Sequence, residues 1–168
     1  MGLFDFLKSK EQPAAEVSFP ATLGAAAKGT FVPMDQVPDE VFSQGIMGVC
    51  CGVEPTEGKV YAPVDGKISQ VTDTMHALGI EASGMEILIH VGVDTVEMNG
   101  KGFTNKVQEG QAVKKGQLLM TMDLDEIKAA GHPATVIMAV TNSDDFASVE
   151  AVASGAVEPG AGVLKVSK

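Results

Sequence analysis

Hydrophobic positions in this chain fall mainly in short alternating runs separated by glycine and proline, the pattern of β-strands joined by tight turns. The most informative run is Thr74 to Val96, T-M-H-A-L-G-I-E-A-S-G-M-E-I-L-I-H-V-G-V-D-T-V. Ala82-Ser83-Gly84 interrupts two apolar segments and predicts a hairpin with a short loop. With the turn centred on Ser83, His76 lies seven residues before it and His90 seven after, so the two imidazoles are expected to face each other. Alternation puts Ile87, Ile89 and Val91 on one face and Leu88, His90 and Gly92 on the other. Thr74 shares the face of His76, within reach of its ring, and Asp94, four residues past His90, could reach the ring of His90.

The remaining pattern is of the same kind. Thr30 to Met34 predicts a strand ending in a proline-marked turn, and Asp39 can cap the apolar segment holding Val41, Phe42, Ile46 and Met47. That cluster can belong to the core or form the rim of a docking surface. Val60 to Ile68 predicts strand, Asp-Gly turn, strand, and Val107 to Leu119 repeats valines and glycines at turn spacing. Leu124 to Ala130 and Asp144 to Val152 predict helical turns, the second capped by Ser143, and Thr135 to Val140 and Gly162 to Val166 predict closing strands. The expected fold is all-β: an antiparallel sandwich or barrel with short helical turns and an exposed, shallow active site. Residues 17–168 form the expected domain. Residues 1–16 read as a flexible, amphipathic segment whose Leu3, Phe4, Phe6 and Leu7 beside Lys8 and Lys10 could touch an anionic membrane surface.

Composition sharpens this picture. Of 168 residues 45% are hydrophobic but only 5% aromatic, with no Trp, so aliphatic side chains must build the core. A net charge of −10 argues against nucleic acid, whose phosphates require a basic face. Cys50 and Cys51 are adjacent and have no third thiol to pair with, which excludes a disulfide framework and favours buried, inert thiols. The longest apolar runs fall short of the ~20 residues of a membrane helix, and a signal peptide pattern is lacking, so a cytoplasmic monomer is expected. His132, in Gly131-His132-Pro133, reads as a bystander in a turn. Two facing imidazoles suit metal ligation, acid/base work or carriage of a phosphoryl group; a pair of satisfied histidines at a sheet edge is the bland alternative.

Taken together, several segments closely resemble the glucose-family enzyme IIA component of the bacterial sugar phosphotransferase system. They are Val37-Pro38-Asp39 with Val41-Phe42 and Ile46-Met47-Gly48; Ala62 to Gly66; Thr74 to Ala77; His90 to Val96; Gly100 with Gly102-Phe103; Gly110 to Gly116; and Asp123-Leu124. The opening Met-Gly-Leu-Phe-Asp resembles the free-standing members. Gly48-Val49-Cys50 stands where Gly-Asp-Gly is common, and Ala25-Ala26-Ala27 replaces a usual Ala-Pro.

The resemblance implies a β-sandwich phosphotransferase in which His90 accepts a phosphoryl group on Nε2 from phospho-HPr. His90 then passes it to a cysteine on the IIB domain of a IIBC sugar permease. It further implies that His76 stabilises the transferring group and that Thr74 holds His76. Val41, Phe42, Ile46, Met47, Leu88 and Val96 would form an apolar ring, with Asp39 and Asp94 meeting arginines of HPr. A resident cofactor is not implied; His76 and His90 could share zinc with a bound partner, and regulatory binding of other transporters or kinases is known in the family.

Three other readings compete. A lysostaphin-like zinc peptidase would use His90 and Asp94 but needs an H-x-H segment that this chain lacks. A lipoyl or biotinyl carrier domain needs a lysine at a hairpin tip, and Met120-Thr121-Met122 supplies methionines without one. A purely regulatory module would have no need of both histidines and Thr74.

Overall fold

The computed structural model describes residues 16–168. The expected amphipathic stretch at the amino terminus lies outside the described residues, apart from an exposed Glu16. Fourteen strands, numbered in chain order, form three antiparallel sheets among these residues. One holds β1 (Ala21–Gly24), β14 (Gly162–Ser167) and β12 (Ser148–Ala151), in that order. A second holds β4 (Lys59–Tyr61), β10 (Leu118–Met122) and β8 (Phe103–Asn105). The largest runs β13 (Ala156–Val157), β2 (Gly29–Val32), β3 (Val49–Pro55), β11 (Val136–Val140), β7 (Met85–Val91), β6 (Ala77–Ala82), β5 (Gly66–Val71), β9 (Ala112–Val113). Each sheet runs from one edge strand to another, so the sandwich is open and the barrel alternative is not realised.

Alternation along the central strands divides their side chains between two apolar clusters. Ile87, Ile89 and Val91 of β7 join Val136, Met138 and Val140 of β11 and Cys51 and Val53 of β3 in the main core. The opposite face carries a smaller cluster of Cys50, Ile137, Ala139, Phe42 and Val37, with Leu88, Met47, Val32 and Met34 packed against it. Adjacent cysteines thus serve different clusters because neighbouring strand residues point to opposite faces. Phe42 reaches the smaller cluster from helix α1 (Glu40–Ser43), whose start is fixed by the Asp39 carboxylate accepting from the Val41 backbone N–H at 3.0 Å. Helix α2 (Leu124–Ala129) is likewise capped by Asp123.

Five expectations are corrected. The hairpin of β6 and β7 turns on two residues, Ser83 and Gly84, with φ of 48° and 90°, so its centre falls between them rather than on Ser83. His90 therefore pairs with Ala77, one residue from the expected partner. Asp65-Gly66 does not join a hairpin: β4 pairs with β10, whereas β5 pairs with β6 and β9. Gly66 is needed for close approach instead, since a Cβ there would lie 2.7 Å from Ile80 Cγ2. Ser143 opens only a short 3-10 turn (Ser143–Asp145), because its hydroxyl accepts from the Val49 N–H at 3.1 Å and β12 follows directly. The strand expected over Thr30 to Met34 ends at Val32, where Pro33 brings no N–H to the ladder. Finally, β11 is not a closing strand but an internal one, buried at all five positions between β3 and β7.

Candidate functional site

His90 lies near the carboxyl end of β7, on the face of the smaller apolar cluster. The main chain beyond it bends away: Gly92 has φ of 80°, and its N–H and that of Val93 donate to the carbonyls of Thr135 and Pro133. The buried Thr95 hydroxyl donates back to the Val91 carbonyl and closes the bend. This geometry brings the Gly92 carbonyl oxygen to 2.8 Å from His90 Nδ1. A carbonyl only accepts, so the neutral ring carries its proton on Nδ1 and leaves the Nε2 lone pair free.

His76 sits immediately before β6, at a position whose carbonyl accepts from the Val91 N–H. Continued strand alternation from Ala77 would send its side chain away from His90. The rings nevertheless meet edge to face, with centroids 4.9 Å apart and planes at 82°. The chain before Ala77 is a tight turn rather than strand. Met75 occupies the left-handed region at φ of 60°, and the Thr72 hydroxyl and main chain bracket Ala77. Thr74 Oγ1 stands 2.7 Å from His76 Nδ1, as the expected proximity required.

Phe42 covers the other side of His90, with ring centroids 5.2 Å apart. It is 4% exposed, whereas its neighbour Val41 is 44% exposed, so one short helix supplies a wall for His90 and an exposed apolar side chain beside it. Ile46 is 68% exposed after that helix and Val96 is 48% exposed in the 3-10 turn Thr95–Met98. Met47 and Leu88 are half-buried in the cluster itself. The segments that carry Phe42 and follow His90 thus expose apolar side chains at Val41, Ile46 and Val96.

Burial lowers the basicity of both rings. For His76 the neighbouring His90 adds to that effect. For His90 the Gly92 carbonyl, Asp39 and Asp94 oppose it without overcoming it. Asp94 does not take the ring nitrogen as the sequence suggested. It stands exposed at φ of 59° and acts on His90 through its charge, since Gly92 already occupies Nδ1. Asp39 acts similarly while capping α1. Cys50 and Cys51 are buried, with thiols pushed up to about 11 and about 12. His132 lies outside this constellation, 3.7 Å from the Glu97 carboxylate.

Two contributors escaped the sequence. The sequence only places Gly92 on the face of His90, although a glycine two residues after a histidine is able to turn its carbonyl back onto the ring. Met75 was passed over because methionine carries no sign of a left-handed conformation. Among the described residues no group of three or more His, Cys, Asp or Glu side chains gathers as a metal site.

Comparison with known proteins gives a consistent result. Residues 21–146, which include every residue described at this site, match the family model for the phosphoenolpyruvate-dependent sugar phosphotransferase system, EIIA 1. The chain is 42% identical over 148 residues to the glucose-specific EIIA component of Bacillus cereus, covering 87% of this chain and 90% of that protein. It is 43% identical over 141 residues to the beta-glucoside-specific EIIBCA component of Dickeya chrysanthemi, covering 83% of this chain but only 22% of that longer protein. The solved glucose permease IIA from Mycoplasma capricolum superposes with a TM-score of 0.76 at 34% identity, covering 86% of this chain and 94% of that one.

Proposed function

The chain belongs to the EIIA 1 family of the phosphoenolpyruvate-dependent sugar phosphotransferase system, and on that premise we propose that it is a cytoplasmic phosphocarrier working through a phosphohistidine at His90. The observation that carries this reading is the lock on His90: with Nδ1–H donating to Gly92, Nε2 is an unprotonated nucleophile on a half-buried ring. Its lone pair forms the N–P bond as the bond from phosphorus to the donor, phospho-HPr, breaks. In the second step a cysteine thiolate on a IIB domain attacks phosphorus, the N–P bond breaks, and His90 returns to its neutral state. Relatives named as EIIBCA components combine such a segment with others in one chain, which supports a IIB partner.

His76 supplies charge stabilisation. If the Thr74 hydroxyl donates to Nδ1, the proton of His76 rests on Nε2, where a phosphoryl oxygen can accept it. Transfer through a loose transition state depends mainly on such positioning and on electrostatics. The apolar rim of Val41, Ile46 and Val96 suits partner docking that excludes water, which strengthens these interactions; Asp39 and Asp94 suit basic groups on the partner. His76 and His90 offer only two nitrogen ligands, so a tetrahedral zinc would need further ligands from a partner.

The test uses labelled phosphoenolpyruvate with enzyme I, HPr and the purified chain. Label should appear on the wild type and be absent from His90→Ala. His76→Ala should accept label yet donate it poorly to IIB. Label persisting in His90→Ala overturns the assignment.

A further inference from the structure

We infer that Met75 is a positioning residue: its left-handed main chain turns His76 out of the alternation of β6 and onto the face of His90. Three observations carry this. The β6–β7 register pairs Ala77 with His90 and extends so that the His76 carbonyl accepts from Val91, which in a continuing strand would direct the two imidazoles to opposite faces. The rings instead lie 4.9 Å apart. Between the last ordinary strand residue and the preceding strand, Met75 alone has positive φ, at 60°, while Thr72 on one side and Ala77 on the other are tied by three hydrogen bonds of 3.0–3.3 Å and the Met75 N–H donates to the Thr72 carbonyl at 3.0 Å.

The side chain of Met75 explains none of this. It is 38% exposed, and an unbranched residue at positive φ is already disfavoured. What the position contributes is a backbone conformation, held by the bracket around it. Met75→Gly and Met75→Asn accept that conformation readily, whereas Met75→Val, branched at Cβ, resists it. The inference rests on the phosphocarrier reading for its kinetic arm and on ring geometry for its structural arm.

Nuclear Overhauser contacts between the His76 and His90 rings are measured in all four proteins, beside the rate of transfer from the labelled chain to IIB at saturating acceptor. The contacts should survive in the Gly and Asn variants and vanish in Val. The saturating rate should fall in Val by up to about 100-fold, the scale of a misplacement of roughly 1 Å, and recover with Gly and Asn. Their unfolding midpoints should equal or exceed that of the wild type. Ring contacts that persist in Val, or that are lost equally in Gly, overturn the inference whatever the labelling result. A wild type without label but with the ring contacts behaving as described would sink the phosphocarrier reading and leave the positioning role standing.

Discussion

The Nδ1–H of His90 donates to the carbonyl oxygen of Gly92, 2.8 Å away and only two residues along the same chain. This contact depends on Gly92 at φ of 80°, where an added Cβ would fall 2.4 Å from Thr95 Cγ2 and 2.9 Å from the Pro133 carbonyl.

Gly92→Ala should therefore damage both the fold and the site. The strained conformation alone is worth about 1–3 kcal/mol, and relief would rotate the carbonyl away from the imidazole. Denaturant unfolding should show the loss of stability, and labelling of His90 should slow by at least about tenfold as the ring loses its fixed tautomer. An alanine variant that labels at the wild-type rate would show that Gly92 is dispensable to the nucleophile.

Acid should weaken the native state through the paired histidines. Burial lowers both from the ordinary value of 6.5, so below that pH the unfolded chain takes up protons that the folded chain refuses. Stability is unaffected above 6.5 and declines as pH falls from there toward the lowered folded values. Asp39 and Asp94 moderate the effect at His90. Unfolding curves at several pH values should show a steeper acid loss for the wild type than for a His76→Ala/His90→Ala double variant; equal slopes would contradict the shifts.

Ile46 offers a test of docking without disturbing the interior. At 68% exposure, Ile46→Asp should change stability by no more than about 0.5 kcal/mol. The KM for phospho-HPr should rise about tenfold if the residue anchors the interface. Steady-state transfer kinetics measure this, and an unchanged KM would remove Ile46 from the contact surface.

The vicinal thiols should be silent. With Cys50 at about 11 and Cys51 at about 12, both buried, almost no thiolate exists at pH 8. Ellman's reagent should react with neither in the native protein and with both after denaturation; fast native labelling of Cys50 would mean that α1 opens readily.

Much of the site was legible because strand alternation is local. The separation of Ile87, Ile89 and Val91 from Leu88 and His90 needs only a period of two, whereas the nearness of Thr74 to His76, expected on the same rule, is made by the turn before Ala77. The register was not legible to one residue. Ser83-Gly84 can close a hairpin in more than one way, and the choice depends on both residues taking positive φ. The same holds at Asp65-Gly66, where a turn-forming pair instead lies where the chain crosses between sheets.

Sequence alone thus determined the strand-rich character of the chain and the sharing of one strand face by Leu88 and His90, since these follow from residue chemistry and short-range periodicity. Tertiary structure decided that the rings of His76 and His90 meet, that Phe42 is buried against His90 while Val41 is exposed, and that Gly92 rather than Asp94 holds His90. Those outcomes depend on which strands become neighbours and where the backbone takes left-handed turns. Both are settled by the packing of segments distant in sequence.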